Sequence, residues 1–262
     1  MTIESTQPTD KVPAAPFRTH PIEWTPERVG RLWDYYASNP AYKDHYFSKH
    51  SGASILQAIG ESVDLRGRRI LDFGCGPGFM LERILEQGLR ASGVEFSERS
   101  VREATARLQR FPAFEGVTRA ERVPTPLADG AYDAVLCVEV VEHLFDEQLR
   151  PALREIHRLL RPGGVAVVTT PNEERMEAES QLCPECGCVF HRWQHLRRWD
   201  AGTLTRTMEE CGFETVVCRA TRFHQGARRR PLRRLKHSLR RLFGQRPPPE
   251  PTPHLIYIGR RG

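Results

Sequence analysis

A turn rich in glycine, Gly74-Cys75-Gly76-Pro77-Gly78, joins a short apolar stretch to a stretch with helical periodicity. Glycines at such a junction let the backbone approach a ligand closely, and the N–H groups at the start of the helix point at it. Glu95 stands nineteen residues after Gly76, at the end of the next apolar stretch, where a carboxylate can accept both hydroxyls of a ribose. The pattern predicts a site for an adenosine-containing ligand, and the alternative is an ordinary strand-to-helix turn.

The same turn excludes two other nucleotide sites. A nicotinamide-binding turn needs a third glycine in G-x-G-x-x-G, and Phe79 stands at that position. A phosphate-binding loop needs Gly-Lys-Ser or Gly-Lys-Thr, which the chain lacks. The turn is therefore typical of a different ligand.

Three side chains with acid–base or metal-binding chemistry, Glu139, Glu142 and His143, follow a later apolar stretch, residues 132–137. Their spacing of i, i+3 and i+4 would place them together on one turn of a helix. Carboxylates and imidazoles can take a proton from a reacting hydroxyl or bind a divalent metal ion. These three are therefore the predicted catalytic residues. The alternative is that Glu142 and His143 only cap the helix and hydrogen-bond the backbone around the cofactor.

Three cysteines cluster in Cys183-Pro184-Glu185-Cys186-Gly187-Cys188, and two histidines follow. The Cys-x2-Cys spacing with a histidine beyond it suits a tetrahedral zinc site, because the tight turn lets backbone amides point at the thiolates. The predicted ligands are Cys183, Cys186, His191 and one of Cys188 or His195. The alternative is three surface thiols in a loop. The total of seven cysteines is odd, which argues against a fully paired disulfide framework.

Alternating strand and helix patterns predict the framework that positions these residues. Apolar stretches at residues 68–73, 91–95, 132–137 and 165–169 alternate with helical patterns at residues 79–86, 97–110 and 149–160. Such alternation is typical of βαβ units around a parallel sheet, whose ligands bind beyond the carboxyl ends of the strands. Further helices are predicted at residues 25–38, 53–61 and 201–211, and two last strands at residues 214–219 and 254–259.

The stretch Ile70-Leu71-Asp72-Phe73-Gly74-Cys75-Gly76-Pro77-Gly78 resembles motif I of the class I S-adenosylmethionine-dependent methyltransferases. Residues 133–144, 158–164 and 170–172 are similar to that family's fourth and fifth strands and their flanks, in the family's order. The likeness covers roughly residues 67–172 and, more loosely, both terminal strands. It implies S-adenosylmethionine as cofactor and an α/β, Rossmann-like, seven-stranded, mostly parallel sheet of order 3-2-1-4-5-7-6 with an antiparallel seventh strand. The Cys/His segment, residues 173–199, is then a small insertion.

The resemblance also implies roles for single residues. Asp72, Gly74 and Gly76 would flank the methionine part of the cofactor, while Glu95 would hold its ribose. The full set of predicted cofactor-binding residues is Asp72, Gly74, Cys75, Gly76, Gly78, Glu95, Phe96 and Cys137. Many relatives carry an aspartate–alanine pair that touches adenine near Arg119-Ala120-Glu121-Arg122, and this chain departs from them there, so the adenine contact stays open.

Two subfamilies carry a similar Glu-x-x-Glu-His sequence as magnesium ligands, the small-RNA 2′-O-methyltransferases and the ubiquinone-pathway O-methyltransferases. In the former a histidine after the fifth strand completes the set, and His195 occupies the matching place here. The resemblance thus implies a divalent metal at Glu139, Glu142, His143 and His195. Two imidazoles suit Mn, Fe, Co or Zn better than Mg. His195 cannot readily serve both this site and the zinc site.

The resemblance predicts an O-methyltransferase that acts on a hydroxylated small molecule or glycan, with a lipid-linked acceptor as one option. Tyr46-Phe47-Ser48 with Gly52, upstream of the glycine turn, adds a likeness to bacterial methyltransferases of surface-glycan and quinone type. One alternative is an RNA ribose 2′-O-methyltransferase with a divalent metal. Another is a non-catalytic, zinc-containing protein that binds S-adenosylmethionine and acts through partners.

The two ends of the chain differ from its body. Residues 1–22 are polar and contain no apolar signal-peptide core, and they predict a disordered leader before a methyltransferase domain at residues 23–262 of a cytoplasmic protein. Residues 228–246 carry nine basic and no acidic side chains, more than the whole chain's net charge of +6, so the rest is mildly acidic.

An apolar stripe runs through this basic stretch, formed by Leu232, Leu235, Leu239, Leu242 and Phe243. The basic amphipathic segment, residues 226–246, can therefore bind an anionic membrane surface, bind RNA phosphates or pack on the domain. Membrane contact, peripheral at the inner membrane face, is favoured over nucleic acid, because no aromatic side chains interleave with the charges to stack on bases.

Overall fold

The computed structural model describes residues 17–42, 45–223 and 253–262. The helices and strands of these residues are β1 (His20–Pro21), α1 (Pro26–Ser38), α2 (Phe47–Gly60), β2 (Arg69–Phe73), α3 (Phe79–Glu86), β3 (Arg90–Glu95), α4 (Glu98–Leu108), β4 (Phe114–Arg119), β5 (Tyr132–Val138), α5 (Asp146–Leu159), β6 (Leu160–Pro171), β7 (Ser180–Leu182), β8 (Cys188–His191), α6 (Ala201–Glu209), β9 (Phe213–Thr221) and β10 (His254–Arg261). Two 3-10 helices, Pro40–Tyr42 and Met176–Glu179, complete the described elements.

Seven of these strands form the central sheet, in the order β4-β3-β2-β5-β6-β10-β9. The pairings among β2 to β6 are parallel, and β10 is antiparallel to both of its neighbours. Counted within this sheet alone, the order is 3-2-1-4-5-7-6 with an antiparallel seventh strand, so the predicted Rossmann-like α/β fold is confirmed. Because parallel strands end at the same edge, the loops after β2, β3, β5 and β6 gather there.

Helices cover both faces of this sheet, because successive residues of a strand point to opposite sides. Along β2, Ile70 packs in the apolar cluster that includes α2, α3 and α4, whereas Leu71 packs in the cluster that includes α5 and α6. Both side chains are fully buried, and the burial of one such side chain contributes about 1.5–3 kcal/mol. The two apolar cores thus hold the central sheet in place, and with it the edge at which the loops after β2, β3, β5 and β6 meet.

Some element bounds differ from the predicted ones, for physical reasons. α2 begins at Phe47 rather than at residue 53, and Phe47 packs against the core. β6 spans Leu160–Pro171 rather than residues 165–169, because its pairing with β10 continues to Pro171. β4 has no counterpart among the predicted stretches, since this edge strand is largely half-exposed and shows little apolar patterning.

A second sheet of three short strands, in the order β1-β8-β7, joins the Cys/His insertion to residues that precede α1. His20 and Pro21 pair in parallel with Cys188 and Val189. Residues 17–22 are therefore structured, and the prediction of a disordered leader through residue 22 is wrong for them. Residues 1–16 of that leader lie outside the described residues.

The predicted basic amphipathic segment, residues 226–246, also lies outside the described residues. Among the helices that the structure describes, none is long and apolar enough to cross a membrane. Attachment of the basic segment to a membrane surface therefore stays a prediction from the sequence.

Candidate active site

The glycine turn, residues 74–78, connects the end of β2 to α3, with Gly78 as the N-cap of that helix. Gly74 and Gly76 have φ values of +78° and +51°, which a residue with a Cβ rarely adopts. A Cβ at Gly74 would lie 2.8 Å from Val140 Cγ2, whereas a Cβ at Gly76 would meet no described atom within 4 Å. Gly74 therefore allows close packing, and Gly76 leaves open space that a ligand can occupy.

Glu95, at the end of β3, lies directly beside this turn and is buried. Its two carboxylate oxygens accept hydrogen bonds from the backbone N–H groups of Gly76 and Ser97, each at 2.9 Å. Burial raises the pKa of Glu95, while these N–H groups act in the opposite direction. The carboxylate predicted to hold the ribose thus lies in contact with the predicted cofactor turn.

Asp72 is a second buried carboxylate at this end of the sheet, and it is only 1% exposed. Its Oδ2 has no hydrogen-bond partner among the described groups. Burial first, and the charge of Glu95 second, raise the pKa of Asp72 to about 8. A cationic ligand group would favour the ionised carboxylate. Asp72 and Glu95 together therefore fit a ligand that combines a cation with hydroxyl groups, as S-adenosylmethionine does.

The other predicted cofactor residues lie in different surroundings. Cys75 is buried, and its Sγ occupies the space beside Gly93, where an added Cβ would lie 2.6 Å away. Cys137 is buried in the core, and burial raises the pKa of both thiols well above the ordinary value. Phe96, just after β3, is 54% exposed and can cover a ligand. Contacts of these three residues with a cofactor stay predictions.

A cavity of ≈ 640 Å³ connects the glycine turn with the loops after β5 and β6. Gly74, Cys75 and Gly76 line it together with Glu142, His143 and His195. Its wall also contains aromatic side chains from α1, from the residues after α1 and from the insertion, namely Trp33, Tyr36, Tyr42, Tyr46 and Trp193. The volume lies within the range of about 300–1,000 Å³ that is typical of small-molecule sites.

The three predicted catalytic residues lie in the loop between β5 and α5, and the prediction that they share a helical turn is wrong. The backbone of Glu139 has a φ of +53°, and α5 begins further along the chain. Glu139 Oε1 accepts a hydrogen bond from Thr169 Oγ1 at 2.8 Å, and its Oε2 lies 3.2 Å from His254 Nε2. Glu139 is thus held by β6 and β10, and it does not join the described group of metal-binding atoms around Glu142.

Glu142, His143 and His195 each offer a ligand atom, and these atoms lie within 4.8 Å of one another. Glu142 Oε2 accepts a hydrogen bond from Thr170 Oγ1 at 3.0 Å, but Glu142 Oε1 and His143 Nδ1 have no described hydrogen-bond partner. Glu142 Oε1 lies 3.9 Å from His143 Nε2. Burial raises the pKa of Glu142 well above its ordinary value and lowers that of His143 to about 3. A divalent cation between these side chains would satisfy the unpartnered Glu142 Oε1. One carboxylate and two imidazoles therefore fit a divalent metal.

Glu174, shortly after β6, contacts one nitrogen of His191 and one of His195, whose rings stack with centroids 4.4 Å apart. His195 Nδ1 is 2.5 Å from Glu174 Oε2, and His191 Nε2 is 3.5 Å from Glu174 Oε1. Burial opposes ionisation, but the contacts with His191 and His195 outweigh it and lower the pKa of Glu174 to about 2. Glu174 is a site residue that the sequence analysis missed. Its position just beyond a strand, at the edge where ligands bind, is the feature that could have identified it.

The three cysteines cluster without the predicted histidine. The Sγ atoms of Cys183, Cys186 and Cys188 lie within 4.8 Å of one another. His191 lies against Glu174 instead, so the structure corrects the predicted zinc set. Backbone N–H groups of Cys186 and Glu185 lower the pKa of Cys183. Contact with Cys186 raises the pKa of Cys188, so the pKa shifts of the cluster do not all favour zinc. The geometry of the three thiols fits three of the four ligands of a tetrahedral site.

Comparison with known proteins establishes the family. A family model described as a methyltransferase domain matches residues 32–218, which is more than half of the chain. The chain belongs to the class I S-adenosylmethionine-dependent methyltransferase family. The resemblance of residues 67–172 is thereby confirmed.

The chain also matches curated relatives over part of their length. It is 33% identical over 176 residues to a probable S-adenosylmethionine-dependent methyltransferase of Mycolicibacterium smegmatis, covering 66% of this chain and 61% of the relative. It is 32% identical over 117 residues to a ubiquinone biosynthesis O-methyltransferase of Pseudomonas aeruginosa, covering 44% of this chain and 49% of the relative. The chain thus spans between about half and three fifths of the length of these relatives.

Solved structures share the fold of this methyltransferase at low sequence identity. One is the Burkholderia thailandensis 1,6-didemethyltoxoflavin-N1-methyltransferase with bound 1,6-didemethyltoxoflavin and S-adenosylhomocysteine, with a TM-score of 0.60, 17% identity and 93% of each chain covered. Another is a methyltransferase in complex with the Trm112 activator of Haloferax volcanii, with a TM-score of 0.61, 18% identity, and 87% of this chain and 96% of that chain covered. The likeness supports the fold and leaves the acceptor open.

Proposed function

We propose that this methyltransferase transfers the methyl group of S-adenosylmethionine to a hydroxyl group of a small molecule or glycan. The supporting observation is that the glycine turn and the cluster of Glu142, His143 and His195 line the same cavity of ≈ 640 Å³. A methyl donor bound at the turn and an acceptor bound at the cluster would share one space. Such sharing is what an in-line transfer requires.

Transfer from a sulfonium to oxygen forms an O–C bond as the S–C bond breaks, and the hydroxyl proton must leave. The chain's own residues would orient the acceptor oxygen and receive this proton at the cluster. A divalent metal held by Glu142, His143 and His195 would make the acceptor hydroxyl more acidic. This ligand set is the one expected from the sequence without Glu139.

The aromatic wall beside the cluster supports an acceptor with a flat apolar face. Trp33 meets His143 edge-on with ring centroids 5.2 Å apart, and Trp193 lies 5.4 Å from Tyr36. Aromatic side chains favour a planar ring or the apolar face of a sugar. Similarity to relatives named ubiquinone biosynthesis O-methyltransferases favours a phenolic hydroxyl, with a lipid tail as one option.

The proposal is tested with S-adenosylmethionine that carries an isotope label in its methyl group. Phenols, catechols and oligosaccharides form the main acceptor panel, short RNA forms a separate arm, and mass spectrometry detects the label. We expect a labelled small molecule or glycan, and a loss of labelling with His143→Ala. Labelled RNA would favour the ribose 2′-O-methyltransferase alternative. Cofactor binding without labelling of any acceptor would favour the non-catalytic alternative.

We further propose that Cys183, Cys186 and Cys188 hold a structural zinc ion. Cys183 N–H donates to Cys188 O at 2.8 Å, and Gly187 N–H donates to Cys183 O at 2.9 Å, so the thiols lie on one tight turn between β7 and β8. Zinc would stabilise this turn and with it the small sheet. The thiols remain available in a reducing compartment, which agrees with the cytoplasmic location predicted from the sequence.

A further inference from the structure

The protonation of the imidazoles around Glu174 follows from their partners. An ionised carboxylate can only accept hydrogen bonds. His195 Nδ1, which lies 2.5 Å from Glu174 Oε2, must therefore carry a proton. In a neutral ring the other nitrogen, Nε2, is then bare. His195 lines the cavity, and its ring meets His143 edge-on with centroids 4.8 Å apart.

His191 carries its proton on the opposite nitrogen. Its Nδ1 accepts the backbone N–H of His195 at 3.2 Å, so this nitrogen is bare and the proton resides on Nε2, 3.5 Å from Glu174 Oε1. A neutral imidazole that binds a metal through one nitrogen needs a proton on the other. The backbone N–H of His195 donates to His191 Nδ1, so that nitrogen cannot carry the proton. His191 Nε2 therefore carries it and cannot bind a metal. His191 therefore supports Glu174 rather than binding a cation, although Glu174, His191 and His195 offer ligand atoms within 4.8 Å of one another.

The backbone around His195 is fixed independently of its ring. Gln194 Nε2 donates to His143 O at 2.9 Å, and Leu196 N–H donates to Glu142 O at 2.9 Å. These bonds tie both neighbours of His195 to the loop that carries the other two cluster residues. They leave the rotation and the tautomer of the His195 ring to be set by its own partner, Glu174.

We propose that Glu174 is a positioning residue of the active site, which accepts the Nδ1–H of His195 and so presents a bare His195 Nε2 to the cavity. The role rests on the proposed function, in which that nitrogen receives the acceptor proton or binds the divalent metal. A carboxylate that orients a functional histidine in this way commonly fixes its tautomer and raises its basicity. His191, stacked on His195, lies against the other oxygen of the carboxylate.

Nitrogen-15 NMR of the full chain with labelled histidine tests the assignment directly, at neutral pH and without metal. We expect opposite tautomers, with His195 protonated at Nδ1 and His191 protonated at Nε2. The same tautomer in both rings, or a proton on His195 Nε2, would overturn the proposal. The experiment uses the parent protein, so it does not depend on a variant that folds.

Glu174→Gln provides the second readout. A glutamine side chain has one acceptor oxygen, so it cannot both accept the His195 Nδ1–H and attract the His191 Nε2–H with a second oxygen, and at least one tautomer should change. We expect methyl transfer to fall by about 10–100-fold while the affinity for S-adenosylhomocysteine stays at the parent value. Glu173→Gln is the matched control, because Glu173 has a side chain that is 60% exposed and lies 3.5 Å from Arg198. It should leave both readouts unchanged.

Two results separate the inference from the proposed function. Parent tautomers and parent activity in Glu174→Gln would overturn the role of Glu174 and leave the methyltransferase activity intact. A parent protein with the expected opposite tautomers that labels no acceptor would uphold the arrangement around Glu174 and remove the proposed reaction.

Discussion

Replacement of Gly76 by alanine should weaken cofactor binding strongly while it lowers the stability of the fold only slightly. The φ of Gly76, +51°, lies in the left-handed region, which costs a residue with a Cβ about 1–2 kcal/mol. No described atom lies within 4 Å of the added Cβ, so no clash increases this cost. A domain stabilised by about 5–15 kcal/mol tolerates such a loss. The melting temperature should fall by about 2–8 °C.

Gly88 supplies a matched control for the backbone strain. Its φ is +73°, and a Cβ added there would also meet no described atom within 4 Å. It lies in the turn after α3, whereas Gly76 lines the cavity. Gly88→Ala should therefore lower the melting temperature as much as Gly76→Ala does, with no effect on cofactor binding.

Calorimetric titration with S-adenosylhomocysteine measures the difference. The methyl group at Gly76 enters the space in which the cofactor would contact the backbone, so we expect at least about tenfold weaker binding, or about 1.4 kcal/mol. Gly76→Val should weaken binding further. Equal affinities of Gly76→Ala and Gly88→Ala for the ligand would refute the placement of the cofactor at this turn.

Glu95→Ala removes the expected ribose acceptor and two backbone hydrogen bonds, so calorimetry should show S-adenosylhomocysteine binding weakened by about 1.5–3 kcal/mol; unchanged affinity would contradict the assignment. Elemental analysis should find about one zinc ion per chain, lost in Cys183→Ser/Cys186→Ser, and a zinc-free parent of full stability would reject the zinc site. Without ligand, burial raises the pKa of Asp72 to about 8, so the folded form keeps a proton that the unfolded chain releases above about pH 4. Stability should thus fall between about pH 4 and 8, and urea unfolding should show a smaller fall for Asp72→Asn than for the parent.

The cofactor half of the site could be predicted from the sequence because it is local. A strand, the glycine turn and a helix follow one another within residues 69–86, and Glu95 ends the next strand, so their spacing along the chain already determines their proximity. The loop after β5 was predicted less well. The positive φ of Glu139 and its contacts with Thr169 and His254 depend on β6 and β10, and these contacts are invisible in a helical periodicity.

The acceptor half depends on segments that are far apart in the chain. Trp33 and Tyr36 of α1 reach the insertion directly, because Trp33 Nε1 donates to Gln194 Oε1 at 3.4 Å and the Tyr36 hydroxyl donates to Arg192 O. A local sequence pattern cannot predict a contact between residues that are more than 150 positions apart. Glu174 was missed for a related reason, since a carboxylate gains a role only when the two histidines fold back on it.

Different segments of the chain supply the cofactor side and the acceptor side of the cavity. The motifs that the sequence shares with the family end at about residue 172, and they supply five of the seven sheet strands, the glycine turn and the two buried carboxylates. α1, the residues that follow it and the insertion lie outside these motifs, although the family model extends over residues 32–218, and they supply the aromatic wall, Glu174 and His195. Family membership therefore predicts the cofactor of this chain but not its acceptor. We expect acceptor choice to follow the sequence of α1 and of the cavity-lining residues of the insertion, because these side chains would meet the acceptor in the proposed reaction.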